Sequence, residues 1–396
     1  MRPLSPLPDW VSLEHSVAHI LSKQELHGWY FDEPAAWELE SSLRKELEEL
    51  SRVLRNRHTY IGGASFSPKR SNKRTGYIEG AEFTRLKELN PTSRDHAAWI
   101  LTTHYGWTPS SISSNGKPVV DEIVLKDIGT DIALDFLRCL ELKKALGMIS
   151  EGVNAWPNLA QVPADEKFRK LFKASPNMVM CGADLSGIEL RVLSHYLAKY
   201  DDGRYADILI NGDIHQVNAD KIGITRRAVK TVTYAFLYGA SATRIGKSYD
   251  KQLSDNKAAA KGKEIRDAFI KAIPGLSELL SAVKKRATTG KILAIDGRSL
   301  LVDSPHKALN FLLQGSAASI AKRWLVIADE TIKQAGLHAH QLAFIHDEIQ
   351  YECAQKHIDD MRFTLEHSAV RAGEYYNLRV PIAAEAKSGN NWSEVH

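Results

Sequence analysis

Residues 178–198, MVMCGADLSGIELRVLSHYLA, constrain the fold more than any other stretch. The uncharged run from Met178 to Ala183 is short and unbroken, which predicts a buried strand. It runs into Asp184. Ser186, followed three residues later by Glu189, has the form of a capping box, so a helix carrying Ile188, Leu193, Tyr196 and Leu197 is expected to begin there. Asp184 then sits on a strand-to-helix corner, held by rigid elements on both sides and facing a cleft. A carboxylate so placed suits a hard cation with oxygen ligands, although a turn aspartate beside an ordinary cap accounts for the same residues.

Two further stretches bear on that choice. In RRAVKTVTYAFLYG (226–239), Arg226, Lys230 and Tyr234 recur every four positions and line one helical stripe, while Arg227 falls off it and reads as solvated. In LAFIHDEIQYEC (342–353), apolar runs flank His346-Asp347, which predicts a tight hairpin with a second carboxylate at its tip. Asp184 and Asp347 are thus candidates to share a pair of metal ions opposite a cationic helix.

The rest of the chain supplies the frame. Leu13, Val17, Ile20 and Leu21 form a helical stripe stopped by Gly28. A second helix is expected after Asp32, with Pro34 in its first turn and Trp37, Leu43, Leu47 and Leu50 inward, pairing with the first. The basic, glycine- and serine-rich stretch Arg55–Arg74 reads as a loop whose Lys69, Arg70, Lys73 and Arg74 suit phosphates, or equally a solvated charged loop. Further helices are expected from Thr92 or Ser93, over 131–149, 257–273, 276–287, 307–327 and 358–372. A hairpin turns at Asp296-Gly297, and a last strand lies near 380–386. With 396 residues the chain is long enough for several subdomains. Its net charge of +4 permits a polyanionic partner without requiring one. Cys139, Cys181 and Cys353 form no ligand pattern and no disulfide framework, which suits a reducing compartment. No window approaches the roughly 18 apolar residues of a membrane span, and the N-terminus lacks the apolar core of a signal peptide.

Taken together, DLSGIELR, RRAVKTVTYAFLYG and IHDE resemble the three motifs of family A, the polymerase I family of DNA polymerases, with the nearest likeness to the replicative enzymes of phages. The resemblance implies an α+β, right-hand polymerase fold: a helical thumb, an antiparallel-sheet palm, and helical fingers inserted in the palm. On that pattern residues 1–155 are thumb-like, 156–198 are the first part of the palm, 199–290 are the fingers and 291–396 complete the palm. It also implies DNA-templated addition of deoxynucleotides to a primer 3′-hydroxyl with two Mg²⁺ ions on Asp184 and Asp347. Arg226, Lys230 and His215 would bind the triphosphate, Lys230 also giving a proton to the leaving pyrophosphate. Tyr234 would stack at the nascent base pair. Tyr238 would lie near the template base. Glu189, paired with Tyr234, would close the space of a ribose 2′-hydroxyl, a role compatible with its local reading as a cap. His346 and Arg298 would touch the primer, and Asn310 and Gln314 would read minor-groove acceptors. Ala235 stands where many relatives have glycine.

The resemblance also marks what is missing. The residues are fully assigned to thumb, palm and fingers, so no 3′–5′ exonuclease is expected, and a separate exonuclease or processivity partner would act beside primer-template DNA and dNTPs in the cytoplasm of a bacterial host. Trp156 runs directly into PNLAQVP, where relatives have a segment with a primer-gripping Thr-Gly-Arg motif, so weak grip and slow extension are expected. Two other readings remain: a primer-template-binding remnant without catalysis, and a single-subunit RNA polymerase, against which the Glu189 match argues.

Overall fold

The computed structural model describes residues 7–151, 165–250 and 253–396, so the Trp156-Pro157 junction lies outside the described residues. The chain forms two compact units, one of Met1–Phe31 with Asp165–His396 and one of Asp32–Ala164. Helix α1 (Asp9–His27) and strand β1 (Tyr30–Phe31) belong to the first, whereas sequence grouping put them with residues up to 155 and paired α1 with the next helix. The reason is in the side chains. Leu13, Val17 and Ile20 enter the core of the sheet-bearing unit. Glu14 accepts from Lys322 Nζ at 2.7 Å and Asp9 from Arg323 Nη2 at 2.9 Å, while His27 Nε2 meets the buried Glu352 at 2.7 Å.

In the Asp32–Ala164 unit, α2 (Glu33–Arg57) starts at Asp32, whose Oδ1 accepts from Ala35 N at 3.1 Å. Leu43 and Leu54 point inward as the stripe requires, but Trp37 is 59% exposed, contrary to expectation. The stretch read as a loop over 55–74 is mostly ordered differently: 55–57 end α2, and β2 (Tyr60–Phe66) pairs antiparallel with β3 (Phe83–Glu88), with a bulge between Gly62 and Ser65. Helices α3 (Arg94–Tyr105), α4 (Glu122–Ile128) and α5 (Asp131–Leu146) follow, α3 capped by Ser93 accepting from His96 N. Leu54, Ile61, Leu101, Leu125 and Phe136 make their common core.

The sheet-bearing unit continues with α6 (Glu166–Arg169), β4 (Phe172–Lys173), β5 (Met178–Leu185) and α7 (Ile188–Asp201). Then come α8 (Arg204–Asn211), α9 (Ile214–Ile222), α10 (Arg226–Leu237), α11 (Ala242–Tyr249), α12 (Asp255–Ala272) and α13 (Leu276–Ala287). Strands β6 (Lys291–Leu293) and β7 (Ser299–Leu301) form a small hairpin, and α14 (Ala308–Gln334), β8 (Ala339–Ile345), β9 (Glu348–Ala354), α15 (Ile358–Tyr375) and β10 (Ala384–Gly389) close the fold. The main sheet has the order β10-β5-β9-β8, all antiparallel. Alternation along β5 and β9 sends Cys181, Ala183, Ile349, Tyr351 and Cys353 into the core that α7, α14 and α15 complete. The opposite face carries Asp184, Glu348, Gln350 and Glu352.

Two packing details hold this frame. The free edge of β10 is covered by α15, with Glu366 Oε1 accepting from Ala386 N at 3.0 Å and Arg362 Nε donating to Ala386 O at 3.2 Å, which blocks strand addition there. Helices α11 and α12 touch backbone to backbone. A Cβ on Gly246 would come within 1.9 Å of Ala258 O, and one on Gly262 within 1.8 Å of Ala242 O.

Candidate functional site

The register of the sheet sets the two carboxylates side by side. Asp184 on β5 pairs with Glu348 on β9, and Glu348 also pairs with Ile345 on β8, leaving His346-Asp347 as a two-residue turn. His346 takes the left-handed conformation that closes it, with φ +57°. Leu185 N then donates to Asp347 O at 3.0 Å, tying the tip to the end of β5. Partial burial first, and then the Asp347, Glu348 and Glu189 carboxylates, push Asp184 up to about 7, with Lys387 opposing. Burial, and after it Glu189, also raises Asp347 against a backbone hydrogen bond. Acidic oxygens are thus held together at an electrostatic cost that a bound cation would relieve, so Asp184 and Asp347 fit a divalent, oxygen-seeking metal. Among the described residues no group of three or more His, Cys, Asp or Glu is arranged around one metal position.

The capping box does not form. Asp184 lies within β5 rather than after it, and α7 begins one residue beyond Gly187, which has φ +57° and no side-chain cap. The corner is held by Arg191 instead, which donates to Ser186 O and Pro381 O. Glu189 is thereby free to face the cleft, where its Oε1 accepts from Tyr238 Oη at 2.8 Å. Burial and this carboxylate push the Tyr238 hydroxyl up to about 12. Glu189, Tyr238, Gln314, His346 and Asp347 line one cavity of about 380 Å³, floored by Ala317, Ala318 and Ala321. Small residues on α14 leave it open.

Helix α10 starts at Thr225, whose Oγ1 accepts from Ala228 N at 3.3 Å. Arg226 Nε donates to Asp213 Oδ2 at 2.7 Å, and Asp213 Oδ1 caps α9 through His215 N and Gln216 N. The guanidinium and these N–H donors hold Asp213 below the usual carboxylate range. Lys230, one turn on from Arg226, is exposed, as is Arg227. Tyr234 is half-buried, its ring 6.3 Å from that of His215, and its hydroxyl is raised by burial and then by Glu189 and Asp347. The stripe therefore leads from the cationic end of α10 to the carboxylates. Asn310 Nδ2 donates to Leu237 O at 3.1 Å and secures the far end of α10.

Arg298 is not among the cavity residues. Its Nε donates to Asp296 Oδ2 at 2.7 Å and its Nη1 to Glu14 Oε1 at 2.5 Å, with the Trp10 ring 5.8 Å away. Lys69, Arg70, Lys73 and Arg74 lie in the other unit, exposed in the connection between β2 and β3. An aromatic set of Phe66, Tyr77 and Phe83 stiffens the base of that connection, with Arg85 5.0 Å from the Phe66 ring. Sequence reasoning passed over Glu348, which is buried and bound by Gln350 Nε2 and Trp392 Nε1 at 2.6 Å each and by His396 Nδ1 at 3.0 Å. Its place beside Asp347 in IHDE was the available signal. Asp213 was also missed, although Gly212-Asp213 before an apolar residue is a capping pattern.

A sequence model described as DNA polymerase family A matches residues 141–394. The DNA-directed DNA polymerases of Enterobacteria phage T3 and Escherichia phage T7 are each 30% identical over 498 residues, covering 98% of this chain and 70% of theirs. Those 498 positions exceed the 396 residues of the chain, so the phage proteins carry internal stretches that it lacks. In structure, the POL domain of Pol1 from M. smegmatis, in complex with DNA primer-template and dNTP, aligns with a TM-score of 0.76 and 18% identity, covering 96% of this chain and 70% of that one. That likeness establishes the fold as an α+β polymerase fold.

Proposed function

The chain belongs to DNA polymerase family A, and from that premise we propose that it carries out its DNA-templated DNA synthesis at Asp184 and Asp347. The observation that carries the assignment is their junction at neighbouring strand ends, with Asp184 raised to about 7 by burial and the surrounding carboxylates. The two would hold a pair of Mg²⁺ ions. When bound, such ions acidify the primer hydroxyl and offset charge on the transferred phosphate.

The chain's own residues do the rest. Arg226 and Lys230, a turn apart, receive successive phosphates of the incoming dNTP, with Arg226 exchanging Asp213 for the ligand. Lys230 also protonates the leaving pyrophosphate. His215 contacts the triphosphate beside them. Tyr234 covers the nascent base pair, and Glu189 with Tyr238 walls off the space of a ribose 2′-hydroxyl. The expected partner of Glu189 was Tyr234; the hydrogen bond to Tyr238 supports instead a wall built with the tyrosine just past the end of α10. His346 and Gln314 meet the primer end and the minor groove from the cavity rim, and Asn310 acts there while holding α10. Arg298 reaches the primer only on leaving Glu14 or Asp296. Lys69, Arg70, Lys73 and Arg74 grip the phosphate backbone.

We assign the palm to the sheet with α7, α14 and α15, the fingers to residues 199–290, and the thumb to the Asp32–Ala164 unit. The phage relatives carry internal stretches absent here; we place one of them at the Trp156-Pro157 junction, where its loss would weaken the primer grip. The phage relatives also support action in the cytoplasm of a bacterial host. Extension of a primed template in Mg²⁺ with dNTPs and with NTPs tests the reading. Steady dNTP incorporation supports it; exclusive use of NTPs identifies an RNA polymerase, and binding without extension identifies a non-catalytic remnant.

A further inference from the structure

Behind the Arg226–Lys230–Tyr234 stripe lies a set of buried polar atoms to which the reaction as described gives no task. Tyr205 on α8 is 3% exposed, and His215 and Asn218 on α9 are 9% and 1%. Among the described residues Tyr205 Oη, His215 Nδ1 and Asn218 Nδ2 are all buried without a hydrogen-bond partner. Buried polar groups are nearly always paired, so three orphans in one place call for a common explanation. Asn218 follows His215 by three residues, and helical side chains lean toward the N-terminus, so the amide lies over the turn that carries His215. Asn218 also acts on the Tyr205 hydroxyl, which in turn is near enough to Tyr234 to be affected by it. The Asn218 amide thus lies within one turn of His215 and beside the Tyr205 hydroxyl.

We propose that Asn218 and Tyr205 are positioning residues that fix the tautomer of His215. A small turn of the Asn218 amide would bring its two N–H groups onto His215 Nδ1 and Tyr205 Oη, pairing all three unpartnered atoms, so that the neutral imidazole keeps its proton on Nε2. Because Nδ1 is the buried nitrogen, Nε2 is the one left for a ligand. An Nε2–H donates to a phosphate oxygen, whereas an Nε2 lone pair would repel it, so the tautomer decides whether His215 attracts or rejects a triphosphate. Burial, and then Arg226 and Lys230, hold the imidazole below its ordinary value against the nearby Asp213, which favours the neutral ring. Arg226 and Lys230 supply charge; His215 adds direction. The inference rests on the reading of His215 as a triphosphate contact.

The test combines a spectroscopic and a kinetic measurement on the full chain. Nitrogen-15 NMR of histidine-labelled protein without nucleotide, with His215 assigned from the signals lost in His215→Gln, should show the neutral Nε2–H form. Asn218→Leu, which keeps the shape but removes the donor, should shift His215 toward the other tautomer and raise the KM for dNTP roughly tenfold with kcat little changed, the order of one hydrogen bond to a charged group. In His215→Gln, whose amide nitrogen can replace Nε2–H, Asn218→Leu should have no further effect on KM. An Nδ1–H form in the wild-type protein, or a tautomer indifferent to Asn218→Leu, overturns the proposal even if Asn218→Leu folds poorly. A correct tautomer with dNTP KM unchanged in both Asn218→Leu and His215→Asn would overturn the triphosphate contact while leaving the tautomer assignment standing.

Discussion

Replacing Asp184 by asparagine should stabilise the metal-free protein at alkaline pH. The Asp184 carboxyl is raised from 3.8 to about 7 in the folded chain by burial and neighbouring carboxylates. The native state therefore binds the proton more tightly than the unfolded state. Below about pH 4 both states are protonated and nothing is lost; between about 4 and 7 the cost of ionisation grows, and above 7 it is fully present. For a wholly buried group this difference would be worth on the order of 4 kcal/mol. Asp184 is only partly buried and remains open to solvent on its cleft side, and solvent screening reduces the expected effect to about 1–2 kcal/mol. Urea denaturation in chelator at pH 8 and pH 4 measures it, with the variant more stable than the parent at the first and equal at the second. Adding Mg²⁺ at pH 8 should stabilise the parent and close the gap, since the ligand binds only the folded state. An Asn variant no more stable than the parent at pH 8 without metal would refute the view of Asp184 as a carboxylate held in place against its own electrostatics.

Other consequences follow from particular contacts. Glu189→Ala removes the acceptor of Tyr238 and opens the cavity wall, so discrimination against ribonucleotides should fall by roughly 10- to 100-fold in competitive incorporation; a destabilised variant with unchanged sugar preference would make Glu189 merely structural. Gly262→Ala would place its Cβ 1.8 Å from Ala242 O and should cost about 2–3 kcal/mol in urea denaturation, because backbone rather than a side-chain end must move; an unchanged midpoint would deny the close packing of α11 on α12. Neutralising Lys69, Arg70, Lys73 and Arg74 together should lower the slope of log K against log salt for duplex binding by up to about 4, and an unaltered slope would remove the β2–β3 connection from the DNA contact.

Long periodic stripes and tight hairpins were legible in the sequence because local spacing determines them. The β8–β9 turn fell at His346-Asp347 since apolar runs on either side leave only those two residues to turn. Helix α2 began at Asp32 because the cap and Pro34 act locally. The failures came where a distant group decided the outcome. Ser186 and Glu189 had the spacing of a capping box, but Arg191 holds Ser186 O and Pro381 O, and Tyr238, 49 residues away, takes the Glu189 carboxylate. Gly62 and Gly63 looked like loop residues, yet they accommodate a strand that bulges beneath Trp99 and Arg85. Helix α1 was grouped with α2 by proximity in sequence, while Glu14 and Asp9 find cations near the other end of the chain. Arg298 looked free to meet a primer because nothing local revealed Glu14 as its partner.

The central claim is that Asp184 and Asp347 together form the catalytic centre. Single-turnover extension of a primed template, with saturating DNA and dNTP in Mg²⁺, tests it most directly when Asp184→Asn and Asp347→Asn are compared with the parent. Each variant should bind primer-template nearly as well as the parent and lose extension by on the order of 10³-fold. Near-parental extension by either folded variant would contradict the claim.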